Sequence, residues 1–145
     1  MIFRRLPDRR DLLKTVPLFV GLSRRYLDRI VRETETVRVD EGKALARQGL
    51  PGKEFFLIVE GEARVEREGK VIARLGPGDF FGEMSLIDNK PRSASVTAQT
   101  PVELLVLDAR SFRGLLDTVP GLQRKLLVAL SERLRAADRA LASRN

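Results

Sequence analysis

Cysteine, histidine and tryptophan are absent from the 145 residues, and tyrosine occurs once. Without cysteine there are no disulfides and no thiolate nucleophiles. Without histidine as well, Fe–S ligation and zinc sites of the Cys/His type are excluded. No Ser-His or Cys-His nucleophile pair can be assembled, although carboxylate or lysine chemistry is not excluded. No apolar run approaches the roughly 20 residues needed to cross a bilayer. The start, MIFRRLPDRRD, has arginines but no apolar segment behind them, so no secretory signal is expected and the cytoplasm is the expected compartment.

What is present suits one globular domain spanning residues 1–145, with 43% hydrophobic and 32% charged residues. The net charge of +7 is unevenly placed. Residues 1–14 hold five basic against two acidic side chains and residues 120–145 hold six against two, while the middle sums to zero. Basic flanks can attract nucleic acid or anionic lipid, but surplus arginine more often marks a solvated helix face. Arg4, Arg5, Arg9 and Arg10 have no stacking aromatics around them, so nucleic acid is not the expected partner.

The chain divides by periodicity. Residues 1–33 read as helical: Leu12, Leu13, Val16, Leu18 and Phe19 share a face, Pro17 breaks it and Gly21 ends it. A second helix is predicted from Ser23 as N-cap, with Tyr26, Leu27, Ile30 and Val31 apolar. From about Glu35 the period changes to two, and short strands punctuated by Gly42, Gly61, Gly69 and Gly76 fill residues 34–108. Phe55 to Val59 is continuously apolar and therefore buried on both faces. Such spacing argues for a β-barrel or sandwich, giving a helix, β-roll, helix architecture. Residues 109–145 return to helix: Asp108 caps "ARSFRGLLDTV" and Pro120 suits the first position of the last helix. There Leu127, Leu130, Leu134, Ala137 and Leu141 form a short heptad seam. It reads first as a docking face on its own domain and second as a homodimer contact through 120–145.

"GDFFGEMSLI" carries the chemistry. Residues 82–87 can form one helical turn whose free N–H groups, from Gly82 to Ser85, point outwards with the positive end of the dipole. Glycine there admits a ligand to the backbone. Arg92 brings a planar fork of donors suited to phosphate, and Ser93 adds a hydroxyl. Glu83 is out of place in a simple anion pocket. It fits a ligand that also offers a hydroxyl near its phosphate, such as a ribose with a free 2′-OH and a phosphate tied back to the sugar. The plainer alternative is a structural Glu83–Arg92 pair in a basic-flanked scaffold or nucleic-acid-associated protein, a pair worth about 0–1 kcal/mol if exposed.

The stretch "FGEMSLIDNKPRSASV", residues 81–96, resembles the phosphate-binding cassette of the cyclic nucleotide-binding domain family, F-G-E-L-A/S-L … P-R-A/S/T-A-S/T-V. The family includes catabolite activators, protein kinase A regulatory subunits and cyclic-nucleotide-gated channels. "EFFLIVEGEARV" and "LGPGDFFGE" are similar to its preceding strands, so the resemblance covers nearly the whole chain. It implies an α+β fold: an antiparallel, jelly-roll-like β-roll flanked by N-terminal helices and two C-terminal helices, with the cassette at 80–96. It implies that Arg92, Ser93 and the N–H groups around Ser85 and Ala94 hold the phosphate, and that Glu83, with the Gly82 and Met84 backbone, holds the ribose. Val65, Ile72 and Ala73 would line sugar and base, with Arg133, Leu134 or Ala137 as the lid. The module implied is regulatory, not an enzyme, and needs no cofactor beyond its ligand, cAMP or cGMP.

Two departures from the family pattern bear on specificity and output. Catabolite activators place a Thr-Ser pair near the base where this sequence has Ala137 and Asp138. Ser93 stands where a threonine often accompanies cGMP preference, which favours cAMP. Activators continue into a helix-turn-helix of about 60–80 residues. No such segment is expected here, and the signal is expected to pass through the C-terminal helix to a separate protein.

Overall fold

The computed structural model describes residues 9–143. Arg4 and Arg5, offered above as nucleic-acid contacts, lie outside the described residues. Helices α1 (Arg9–Lys14) and α2 (Arg24–Glu33) precede strands β1 (Glu35–Val39), β2 (Ala44–Ala46), β3 (Glu54–Glu60), β4 (Ala63–Arg67), β5 (Lys70–Leu75) and β6 (Phe80–Phe81). A short helix α3 (Glu83–Asp88) follows, then β7 (Ser95–Ala98), β8 (Val102–Asp108), α4 (Ala109–Thr118) and α5 (Leu122–Ala142). No helix among the described residues is long and apolar enough to cross a membrane.

Two antiparallel four-stranded sheets form the roll, in the orders β1-β8-β3-β6 and β2-β7-β4-β5. The apolar run of β3 is buried on both faces, as its composition predicts. Phe56 and Ile58 point between the sheets, where they meet Leu104 and Val106 of β8 and Ala63, Val96 and Ala98 of the opposite sheet. Phe55 and Leu57 point the other way, onto a second core closed by the helices through Leu13, Leu27, Ile30, Phe112, Leu115, Leu122 and Leu126. Strand alternation thus feeds two cores from one seven-residue strand.

The helix ends show where the sequence signals hold. Asp108 caps α4 by accepting from the Ser111 N–H at 2.7 Å, and that backbone hydrogen bond holds its carboxyl below the usual range. Ser23 sits at the N-cap of α2 in an extended conformation, but its side chain makes no capping bond. Pro120 is not the first residue of α5. The helix begins at Leu122, behind Gly121 as an N-cap at φ 80°, because Leu122 N–H still closes a turn onto Val119. The heptad seam also divides: α5 docks through Leu122 and Leu126, with Ala129 and Leu130 packed beside them. Leu127, Leu134 and Leu141 are more than 60% exposed, so they do not dock on their own domain.

Candidate functional site

The cassette is a sharp turn built around two close approaches. Gly82 leaves β6 at φ 93°, and a Cβ there would lie 2.6 Å from the Glu54 carbonyl oxygen and 2.8 Å from Arg92 Nη1. Only glycine satisfies both the backbone angle and the space. After α3, the chain returns so that Arg92 N–H donates to the Leu50 carbonyl at 2.8 Å and the Arg92 carbonyl accepts from Gly49 at 2.9 Å. The side chain is pulled inward, and Arg92 as a residue is 9% exposed. Its two terminal nitrogens donate to the carbonyls of Gly82 and Glu54, each at 2.8 Å. Gly52 makes room for it, since a Cβ at that position would come within 2.6 Å of the guanidinium carbon and of Ser85 Cβ.

Glu83 is buried at 4% exposure, but Arg92 is not its salt-bridge partner. The structural Glu83–Arg92 pair is therefore replaced by another: Arg133 Nη1 of α5 lies 3.4 Å from Glu83 Oε1. Arg133 also donates to the Phe80 carbonyl and rests its guanidinium 4.0 Å from the centre of the Phe80 ring. Glu83 Oε2 is buried with no hydrogen-bond partner. Burial raises the Glu83 pKa above its ordinary 4.5, opposed by a backbone hydrogen bond, Arg133 and Arg92. Burial likewise lowers the Arg92 pKa, against the raising effect of Glu54 and Glu83.

A raised pKa in the folded state means that the folded protein holds this proton longer than the unfolded chain does. The contribution of Glu83 to the stability of the ligand-free wild type therefore falls as pH rises from about 4.5 through the folded value, then levels off. Glu83→Gln removes that slope. Urea unfolding of both proteins across this range checks it, and parallel pH profiles would overturn it.

Around these groups lies a cavity of about 470 Å³ between the β4–β5 hairpin, the cassette and α5. It brings together Gly82, Glu83, Met84, Ser85, Arg92, Ser93 and Ala94, along with Val65, Ile72, Ala73, Arg133 and Ala137. Leu134 is not among the lining residues and is 64% exposed. The face of α5 turned to the cavity is instead Arg133, Ala136, Ala137 and Ala140, a spacing of three, one and three that places Leu134 off the stripe. Ala136 and Ala140 are legible from that period once Ala137 is placed. Arg67, which also lines the cavity, follows Val65 at the period of two that fixes one face of a strand. The arrangement can take a flat apolar group between hairpin and helix, an anion at Arg92, and a hydroxyl donor at Glu83.

The model of the family described as "Cyclic nucleotide-binding domain" matches residues 36–119. The cyclic nucleotide-gated potassium channel mll3241 of Mesorhizobium japonicum is 40% identical over 130 residues, covering 90% of this chain and 36% of the channel. The cyclic AMP receptor protein of Thermus thermophilus is 35% identical, covering 87% of this chain and 61% of the receptor. A crystal structure of the Thermus thermophilus catabolite activator protein superposes with a TM-score of 0.78 at 36% identity, covering 87% of this chain and 62% of that one. The chain thus spans between about a third and three-fifths of the length of these curated relatives. Fold, cassette and family model agree: the chain belongs to the cyclic nucleotide-binding domain family.

Proposed function

We propose that this chain binds cAMP in the cavity between hairpin, cassette and α5, and passes the event through α5 to a separate protein. The observation that carries the reading is Glu83, a buried carboxylate among the residues lining the cavity, whose Oε2 has no hydrogen-bond donor. Leaving such an acceptor unpaired costs about 1–3 kcal/mol, more for a charged group. A ribose 2′-OH fills that need. Arg92 spends two of its five N–H groups on carbonyls, leaving three for a phosphate, with Ser93 and the N–H groups of Ser85 and Ala94 beside it. Ile72 and Ala73 on one side and Ala136, Ala137 and Ala140 on the other form an apolar slot for the base. Ser93 favours cAMP over cGMP, in keeping with the name of the Thermus thermophilus relative.

The output runs through Arg133, which ties α5 to the same carboxylate that faces the sugar. A ligand donor at Oε2 changes the field that holds Arg133, and α5 shifts only if cAMP prefers one of its positions over another. The exposed Leu127, Leu134 and Leu141, seven residues apart, mark the α5 face that a second copy of the chain would cover.

A thermal-shift panel of cAMP, cGMP, cyclic dinucleotides and AMP tests the reading. At about 100 times the dissociation constant, cAMP stabilises by about 2.7 kcal/mol, which for a chain of this size raises Tm by roughly 5–10 °C. No shift with any cyclic mononucleotide, or an equal one with AMP, would sink it. The sugar contact is separable: Glu83→Ala weakens cAMP binding but leaves 2′-deoxy-cAMP nearly untouched. Equal losses for both would make Glu83 a structural residue.

A further inference from the structure

Arg67 ends β4 at the rim of the cavity, and the hairpin beyond it is held unusually firmly. Glu68 and Gly69 connect β4 to β5 with φ of 53° and 76°, the positive angles of a two-residue hairpin turn. Glutamate is not a residue that favours this conformation. Gln48 supports it from both sides, donating to Glu68 Oε1 at 2.7 Å and accepting from the Glu68 N–H at 3.1 Å. The Gln48 N–H is itself fixed to Ser95 Oγ at 2.8 Å, so the hairpin tip is bound to the start of β7.

This pinning sets the place of Arg67. Its Nε donates to the Ser93 carbonyl at 3.1 Å, one residue along the chain from Arg92. Among the described residues its two terminal nitrogens have no protein hydrogen-bond partner, and no carboxylate pairs with it. Three arginines, Arg67, Arg92 and Arg133, therefore line a cavity whose only carboxylate among the lining residues is Glu83. Arg133 already takes that carboxylate. The Arg67 charge is left without a carboxylate, anchored beside Ser93 in the cavity lining.

We propose that Arg67 is a second anion-positioning residue: it grips the Ser93 carbonyl through Nε and turns its remaining N–H groups towards the phosphate of a cyclic mononucleotide. The inference rests on the binding reading above and extends it to a residue outside the cassette. Two guanidiniums next to one phosphodiester increase the attraction, and because Arg67 is exposed its share is screened by salt.

The test is calorimetric titration of cAMP into wild type, Arg67→Ala, Arg67→Gln and Arg67→Lys at low and high salt. Glutamine can still donate to the Ser93 carbonyl but carries no charge; lysine keeps the charge. Arg67→Ala and Arg67→Gln bind about 3- to 10-fold more weakly at low salt, as suits a partly solvated charge-assisted contact. Their affinity also falls less steeply with salt, while Arg67→Lys stays near wild type. Wild-type affinity in the glutamine variant would reduce Arg67 to a clamp on Ser93 and overturn the proposal, as would wild-type affinity in all three. If the wild type binds no cyclic mononucleotide, the site reading fails first and this one with it.

Discussion

Arg92→Ala weakens cAMP binding by about 30- to 150-fold in a calorimetric titration, the largest loss expected from any single side chain of the site. Charge-assisted hydrogen bonds from a guanidinium to a phosphate contribute about 2–3 kcal/mol together, and that range sets the factor. The geometry argues for the upper part of it. Arg92 is held by two backbone carbonyls at 2.8 Å, so its fork needs little ordering when a ligand arrives. The substitution also acts before any ligand is present. Removing the guanidinium takes a donor from the carbonyls of Gly82 and Glu54 beneath the cassette; both are only part-buried, so water entering the cavity replaces it in part and the total stays near the lower end of about 1–3 kcal/mol. Ligand-free Arg92→Ala should therefore unfold at lower urea than wild type. Arg92→Lys separates the two effects: it keeps the charge, loses the planar fork, and falls between wild type and alanine. Unchanged cAMP affinity in Arg92→Ala would refute the placement of the phosphate.

The residues that were legible in the sequence are those whose signal is local. Phe55 to Val59 reads as a doubly buried strand because every position is apolar, and β3 does serve two cores. Asp108 reads as a cap because capping spans only three residues, and its bond to Ser111 is there. The cassette is legible because its glycine, glutamate and arginine stand close together in a stretch that resembles the family's motif. What escaped was set by contacts across the chain. Glu83 and Arg92 look like a pair in sequence, yet the partner of Glu83 lies fifty residues away on α5. No pattern near either residue announces that contact. The leucine seam of α5 misled for a related reason. Helical period says which side chains share a face, not which face meets the roll. Here the face over the cavity carries alanines, while Leu127, Leu134 and Leu141 look outward. Arg67 had a usable signal in its alternation with Val65, but a charged residue at a strand end reads as solvated unless a cavity is known to lie beneath it.

The largest loss of stability is expected from Phe55→Ala, at about 3–5 kcal/mol, the usual range for deleting a buried aromatic ring. Phe55 is 1% exposed and lies in β3 between two other rings. Phe80 of β6 is 5.6 Å away and Phe112 of α4 is 4.8 Å away, both stacked. The three rings join the roll to the C-terminal helices, so no neighbouring side chain can collapse into the space without moving an element. Against a typical total of about 5–15 kcal/mol this is a large share, and the melting temperature should drop by roughly 6–20 °C. Phe55→Leu, which keeps most of the volume, should lose much less. The effect reaches the site by one path: Phe80 loses its backing, and Arg133 rests on the Phe80 ring while holding Glu83. Affinity for cAMP measured below the melting transition should therefore fall only a few-fold, far less than for Arg92→Ala. The two substitutions thus give opposite signatures, one mainly in stability and the other mainly in binding. A Phe55→Ala protein melting within 2 °C or so of wild type would show that the ring stack does not join helices to roll.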